Sequence, residues 1–188
     1  MASRTDYDLR QHQQASGRDL TYFHESDGSK YHPFVIEPTV SIERAMLVFL
    51  VDAYREYAGG RAGREEGREA ETVLHLHPRL APITAAVLPL VKRERMPDLA
   101  RGIERDLRRA WFVAYDENGT VGRRYRRYDE IGTPWCITVD SQSQTDGTVT
   151  VRDRDSMAQD RVPMADLRDY FGQKLEAAAP AKTGAPAG

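Results

Sequence analysis

The sequence has one cysteine among its 188 residues and no long apolar stretch. The lone thiol of Cys136 excludes an internal disulfide framework and a zinc site built on several cysteines. The longest apolar run, residues 45–51, is far shorter than the roughly 20 residues that cross a bilayer. The first six residues contain no apolar core of the kind found in signal peptides. We therefore expect a soluble, cytoplasmic protein.

Lysine is also scarce, because only four of the 27 basic residues are lysines and the rest are arginines. The 29 acidic residues leave a formal net charge of −2, yet residues 78–130 carry 12 basic and 8 acidic side chains. Arginine has a planar guanidinium that pairs with phosphate in a bidentate manner and stacks on bases. An arginine-rich middle is compatible with a nucleic-acid partner and equally with a solvated, charged surface.

The periodicity of the sequence divides the chain into two kinds of structure. Strands at residues 20–24 and 31–36, joined by a turn at Asp27 and Gly28, predict an antiparallel hairpin. Apolar residues then recur at helical spacing over residues 42–57, and this helix is apolar nearly all round, which predicts burial against a sheet. From residue 83 onward, strands alternate with helices at residues 97–111 and 120–131, a pattern typical of an α/β layer domain.

We predict an α/β fold in which a mixed sheet flanked by helices follows a partial domain made of the hairpin and the buried helix. Residues 59–67 are rich in glycine and charge without periodicity, as in a linker. The Ala/Pro/Gly-rich end of the chain predicts a disordered tail. The predicted organisation is a first domain at residues 1–58, a linker at 59–77, a second domain at 78–175 and a tail at 176–188.

Most of the sequence patterns that indicate metal-binding or catalytic sites are weak or absent here. His75 and His77 share one face of an extended segment, but two ligands without a third do not make a metal site, so we predict none. Cys136 lies in an apolar strand, where a thiol is an inert packing group. No serine–histidine–aspartate order and no phosphate-binding glycine loop is present.

Two segments are more informative. Residues 123–129, with the sequence RRYRRYD, interleave arginines for phosphates with tyrosines for base stacking. The alternative is a solvated helix whose tyrosines pack inward. The second segment places Glu37 at the end of a strand and Arg44 at the start of the helix, where backbone N–H groups favour anions. The alternative there is an ordinary salt bridge from Arg44 to Glu43 or Glu37.

These segments together resemble the glycyl-tRNA synthetases, a class II aminoacyl-tRNA synthetase family. The resemblance runs from residue 4 to about residue 174 and covers motif 3 and the C-terminal anticodon-binding domain. The strings that carry it are RTDYDL at 4–9, FVIEPT at 34–39, ER at 43–44, FLVDAY at 49–54, LAPI at 80–83, VLPL at 87–90, GRRYRR at 122–127, DEIGTP at 129–134 and TVTVRDRD at 148–155.

The resemblance implies a glycine–tRNA ligase that forms glycyl-adenylate from glycine and ATP and then transfers the glycyl group to tRNA(Gly). It implies that Arg44 is the catalytic, ATP-binding arginine of motif 3. It also implies that Glu37 contacts ATP and the ammonium group of glycine, and that Thr39 walls off the glycine pocket. Arg123, Arg124, Arg126 and Arg127 would contact tRNA.

The resemblance further implies ATP with Mg²⁺ in the complete enzyme and a homodimer. Motif 1, which forms the dimer, and motif 2, which binds the α-phosphate, are missing from these 188 residues. We therefore expect this chain alone to bind no cofactor and to be inactive in aminoacylation. Two departures from the family pattern are Thr39, where serine is common, and Ser41, where glycine is usual. The alternative function is a free-standing nucleic-acid-binding module or accessory subunit without aminoacylation activity.

Overall fold

A computed structural model describes residues 1–61, 70–93 and 95–179 of the chain. Two compact units are distinguished, Met1–Leu47 and Val48–Gly188. The boundary lies inside a helix, whereas the sequence predicted a boundary at residues 58–59. Within the described ranges, no helix is both long and apolar enough to cross a membrane.

The first unit consists of short strands and one complete helix. Strand β1 (Ala2–Thr5) pairs antiparallel with β4 (Val35–Glu37), and the predicted hairpin is formed by β2 (Tyr22–His24) and β3 (Ser29–Tyr31). Helix α1 (Tyr7–Ser16) ends at Gly17, whose left-handed backbone (φ 68°) closes the last turn. No residue among the first 52 is buried, so this unit has no core of its own in the described structure.

Helix α2 (Ile42–Ala53) begins in the first unit and differs from its prediction in two ways. It ends at Ala53, and strand β5 (Tyr54–Tyr57) follows at once where the sequence predicted a continuing helix. The predicted burial is not observed, because Ala53 is the helix's only buried residue within the described part of the chain. The apolar periodicity located the helix correctly, but no described element covers its apolar face.

The second unit contains a five-stranded mixed sheet. Its strands are β7 (Ala85–Pro89), β8 (Val113–Tyr115), β9 (Trp135–Val139), β10 (Thr148–Asp153) and β11 (Gln159–Pro163); its helices are α3 (Met96–Leu107), α4 (Val121–Glu130), the single turn α5 (Ser143–Asp146) and α6 (Leu167–Ala177). The strand order is β11-β10-β9-β7-β8. Strand β7 is parallel to both β8 and β9, while β10 is antiparallel to β9 and to β11. The predicted α/β fold with helices flanking a mixed sheet is confirmed.

Alternating side chains of the central strands form two cores. On one face, Val87, Ile137 and Val151 pack with Leu107 of α3 and Phe171 of α6. On the other face, the buried residues Ala86, Leu88 and Cys136 pack with Tyr128 of α4. Burial raises the pKa of the Cys136 thiol, which keeps it protonated and fits the predicted packing role.

The predicted linker contains a strand. Strand β6 (Glu71–Leu74) pairs antiparallel with β5, and the Val73 side chain is fully buried. Residues 62–69 of that linker lie outside the described residues. This β5–β6 hairpin is held to the sheet domain by Arg61, which pairs with Glu71 at 3.0 Å and contacts the Asp129 carboxylate of α4. Periodicity could not reveal these pairs, because they join residues up to 68 positions apart.

The predicted disordered tail begins too early. Helix α6 continues to Ala177 and is followed by a backbone hydrogen bond from Ala179 to Glu176. The remainder of the predicted tail, residues 180–188, lies outside the described residues.

Candidate functional site

The first candidate site lies where strand β4 ends and helix α2 begins. Glu37 is the last residue of β4 and is exposed. Its carboxylate accepts a 3.5 Å hydrogen bond from the Thr39 hydroxyl and lies 4.0 Å from Arg4 Nε of the paired strand β1. Glu37 and Thr39, both predicted to contact glycine, are therefore neighbours in space.

Arg44 occupies the first turn of α2, as the sequence predicted. The Ser41 hydroxyl accepts a hydrogen bond from the Arg44 backbone N–H at 3.4 Å and donates one to the Glu43 carboxylate at 2.6 Å. The hydrogen bond from Ser41 lowers the pKa of Glu43. The alternative in which Arg44 bridges to Glu43 or Glu37 is not observed, since no ion pair of Arg44 forms within the described structure. The guanidinium is exposed and able to meet an anion.

The second candidate site is formed around helix α4, which carries the four arginines predicted to bind tRNA. The helix begins after Thr120, whose hydroxyl accepts a hydrogen bond from the Arg123 backbone N–H. Arg123 is exposed and Arg126 is partly exposed. Arg127 is half exposed and contacts the carboxylate of Asp116. These three side chains are within reach of a macromolecular ligand.

Arg124 does not fit the prediction of a direct tRNA contact, because its side chain is 1% exposed. The helical spacing turns it toward the sheet, away from Arg123 beside it in the sequence. Its guanidinium donates to three backbone carbonyls, those of Pro89 at 2.7 Å, Asp116 at 3.0 Å and Leu90 at 3.4 Å. No pattern in the sequence separates this buried arginine from its exposed neighbours.

The topology of the sheet creates a crevice beside Arg124. The connection that leaves β7 passes to α3 on one face, and the connection that leaves β8 passes to α4 on the other. The carboxyl ends of these two adjacent parallel strands lie at the same edge of the sheet, and the loops that follow them flank a gap there. The gap on the Arg124 side has a volume of about 320 Å³. A separate groove on the Arg123 side of α4 has a volume of about 410 Å³.

We call the gap on the Arg124 side the crevice. It is lined by the end of β7 and by the loops that follow β7 and β8. Lys92 and Arg93 contribute from the loop after β7, and Glu117 and Gly119 contribute from the loop after β8. Lys92 Nζ donates to the Asn118 side-chain oxygen at 3.1 Å and so links the two loops. Lys92 and Arg93 were not among the predicted site residues, although both directly follow a buried strand, which could have indicated them.

Aromatic and cationic groups meet beside the crevice. The Arg101 guanidinium lies 4.1 Å from the centre of the Tyr115 ring, and the Tyr115 hydroxyl donates to Glu117. Burial and the Glu117 carboxylate raise the pKa of Tyr115 to about 12, so its hydroxyl stays neutral and remains a donor. Stacked cations and rings of this kind also engage nucleobases.

The groove on the Arg123 side of helix α4, which we call the α4 groove, is lined by different residues. Arg152 of β10 lies 4.8 Å from the centre of the Tyr125 ring and makes a bidentate salt bridge with Asp129 at 3.0 and 3.1 Å. Arg123 and Arg126 line the same groove as Tyr125, Asp129 and Arg152. Single-stranded nucleic acid is bound by cations, which contact phosphates, and by aromatic rings, which stack on bases. The arginines and Tyr125 of this groove supply both kinds of group.

The two histidines considered as metal ligands are engaged in protein hydrogen bonds. His75 Nδ1 lies 2.6 Å from an Asp155 carboxylate oxygen and its Nε2 lies 2.9 Å from the Tyr57 hydroxyl. His77 Nε2 donates to the Ala178 carbonyl at 2.6 Å. Within the described ranges no three His, Cys, Asp or Glu side chains gather as a metal-ligand group. The described residues therefore do not by themselves provide a Mg²⁺ site.

Comparison with known proteins identifies the second unit. Residues 84–174, from the start of β7 into α6, match the family model described as an anticodon binding domain. The chain is 49% identical over 175 residues to the glycine–tRNA ligase of Corynebacterium glutamicum, and the match covers 93% of this chain and 38% of that protein. The glycine–tRNA ligase of Bifidobacterium longum is also 49% identical, over 177 residues and with 36% of its length covered.

This chain belongs to the glycine–tRNA ligase family. It spans a little over a third of the length of the curated relatives that it matches. A solved structure of prolyl-tRNA synthetase from Cryptosporidium parvum, complexed with L-proline and AMP, is similar with a TM-score of 0.53 and 25% identity; the match covers 56% of this chain and 24% of that one. The crevice and the arginines of the α4 groove lie within the residues that match the anticodon-binding model, whereas Glu71 of that groove precedes them.

Proposed function

We propose that this chain is the part of a glycine–tRNA ligase that supplies motif 3 and binds the anticodon of tRNA(Gly). The observation that carries the proposal is the match of residues 84–174 to an anticodon-binding domain whose helix α4 presents exposed arginines. In the whole enzyme, glycine, ATP with Mg²⁺ and tRNA are the ligands, a second copy is the partner and the cytoplasm is the location. The relatives' names and the presence of Glu37 and Arg44 favour this function over a free-standing binding module.

The residues of the first unit have chemically suitable roles in this proposal. The glycine carboxylate attacks the α-phosphate of ATP, which forms glycyl-adenylate and releases pyrophosphate. A terminal ribose hydroxyl of tRNA then attacks the glycyl carbonyl and releases AMP. The exposed Arg44 guanidinium stabilises negative charge on ATP, the Glu37 carboxylate contacts the glycine ammonium and ATP, and Thr39 walls the pocket beside it.

The residues of the second unit hold the tRNA. Single-stranded loop bases are recognised by stacking and by hydrogen bonds to their edges, while phosphates are held by arginine. Arg123, Arg126 and Arg127 are the proposed tRNA contacts. Arg124, which is buried, is left out of this set.

Replacing Arg123 and Arg126 together by glutamine tests the tRNA contact. We expect tRNA(Gly) to bind more weakly. We also expect the slope of log K against the logarithm of the salt concentration to decrease in magnitude by about one for each phosphate contact removed. The measurement is tRNA binding by the 188-residue chain at several salt concentrations. The matched control replaces Arg105 of α3 and Arg109, which follows that helix; both are exposed, and the change should affect neither quantity as much. Equal effects of the two double variants would mean that α4 holds no specific contact.

A further inference from the structure

The feature that the proposed function leaves unexplained is the buried guanidinium of Arg124. It lies where the parallel strands β7 and β8 part, and it donates to carbonyls on both sides of the gap. Two of those carbonyls, of Pro89 and Leu90, belong to the end of β7 and the loop after it. The third, of Asp116, belongs to the loop after β8.

The backbone needs such a donor at this point. The β7–β8 pairing ends with Val87 opposite Tyr115, and the Val87 carbonyl accepts from the Asp116 N–H at 3.2 Å. Two residues later the Pro89 carbonyl projects toward the same side, because backbone groups alternate along a strand. Strand β8 has left the sheet there, so Arg124 supplies the donor that a strand would have supplied. A buried carbonyl without a partner is unfavourable.

The charge of Arg124 is unusual for so buried a group. Its recorded hydrogen bonds go to carbonyls, and within the described part of the chain its Nε atom has no partner. The nearby Asp116 carboxylate is engaged by Arg127. Burial of a cation without a directly bonded carboxylate is costly in free energy. The planar guanidinium nevertheless allows one side chain to donate to three carbonyls, which a neutral side chain could not do.

We propose that Arg124 is a positioning residue that fixes the two loops of the crevice, residues 90–93 and 116–119, in the arrangement that binds tRNA. The inference rests on the proposed function, because it requires the domain to bind tRNA. Lys92 and Asn118 tie the same loops together at the surface, 3.1 Å apart, while Arg124 ties them beneath. Arg124 thereby acts on RNA through the loops and makes no contact with it.

This role predicts a signature that separates Arg124 from its neighbour Arg123. Loss of a phosphate contact lowers both affinity and its salt dependence, because fewer counterions are released. Loss of loop positioning lowers affinity while the number of phosphate contacts, and hence the salt slope, stays the same. Arg124→Lys keeps the charge but removes the planar fork, so it isolates the geometric effect.

The experiment measures tRNA(Gly) binding by the 188-residue chain at several salt concentrations for the wild type, Arg124→Lys, Arg123→Gln and Asn118→Ala. For Arg124→Lys we expect about tenfold weaker binding with an unchanged salt slope, because the loops would occupy the binding arrangement about tenfold less often. Hydrogen exchange should become faster in residues 90–93 and 116–119 and remain unchanged in β9 and β10. Asn118→Ala, which removes the shorter of the two contacts that Lys92 makes with the loop after β8 and leaves the 4.0 Å contact with Glu117, should also weaken binding at unchanged slope.

Wild-type affinity in a folded Arg124→Lys variant would overturn the inference. A drop in salt slope equal to that of Arg123→Gln would also overturn it, because Arg124 would then be a direct phosphate contact. If the lysine variant does not fold, Asn118→Ala decides, and wild-type affinity in that variant counts against the positioning role. Failure of the wild-type chain to bind tRNA, or no effect of Arg123→Gln, would instead contradict the proposed function.

Discussion

Replacing Asp129 by asparagine should destabilise the second unit by about 3–5 kcal/mol, the usual effect of breaking a buried ion pair by removing one partner. Asp129 is 1% exposed and makes a bidentate salt bridge with Arg152. It also contacts Arg61. The amide of asparagine has the same shape but no charge, so both guanidinium groups would lose a buried counterion.

The measurement is urea unfolding followed by tryptophan fluorescence. Both tryptophans, Trp111 and Trp135, lie in the core cluster of the second unit, so the signal reports on that unit. The matched control is Asp106→Asn, since Asp106 is half exposed and lies 3.8 Å from Arg109. Its loss should change stability by less than about 1 kcal/mol. Equal stability of the two variants would show that the buried network is energetically neutral.

Glycine-dependent exchange of pyrophosphate into ATP by the purified chain should be at least about 10³-fold slower than by the glycine–tRNA ligase of Corynebacterium glutamicum. Stabilisation of developing charge depends on donors fixed in a site from which water is excluded. Glu37, Thr39 and Arg44 are all exposed. An exposed cation and carboxylate in water attract charge only weakly.

The exchange assay uses both proteins at equal concentration, with a reaction lacking glycine as the background. The wild-type chain and its Arg44→Gln variant should give the same signal, because neither encloses the reacting groups. Exchange by the wild-type chain within tenfold of the complete enzyme, abolished by Arg44→Gln, would contradict this account and make the first unit a working active site.

The sequence predicted the elements that have a strong local pattern. Helix α4 lies within one residue of its predicted bounds, 120–131, and Cys136 lies in a strand, β9, as predicted. Apolar neighbours on both sides of Cys136 predict a strand that is covered on both faces. These signals depend on neighbours in the sequence and need no tertiary contact.

The sequence could not predict features that depend on distant partners. Residues 54–57 continued the helical pattern of α2, yet they form strand β5 because β6 pairs with them across the loop. The ionic attachment of Arg61 to Asp129 likewise joins residues far apart in the chain. Tertiary pairing therefore overrode local propensity both at the predicted end of the helix, where β5 forms, and in the predicted linker, where β6 forms.

The candidate tRNA-binding surface was predicted in part for the same reason. The RRYRRYD motif indicated the correct helix, but its four arginines span only about half of the helix circumference, so the pattern does not show which of them faces the sheet. Arg124 turns inward and Arg123 outward. Lys92 and Arg93 reach the crevice only through the sheet topology, which composition does not reveal.

The most direct test of the central claim, that the second unit reads the anticodon of tRNA(Gly), compares two transcripts. One is tRNA(Gly), and the other is identical except for substitutions at two anticodon bases. The account predicts that the purified chain binds the altered transcript at least about tenfold more weakly at one fixed salt concentration, as expected for lost base contacts of 1–3 kcal/mol each. Equal affinity for both transcripts would contradict it, because binding would then depend on phosphate charge alone.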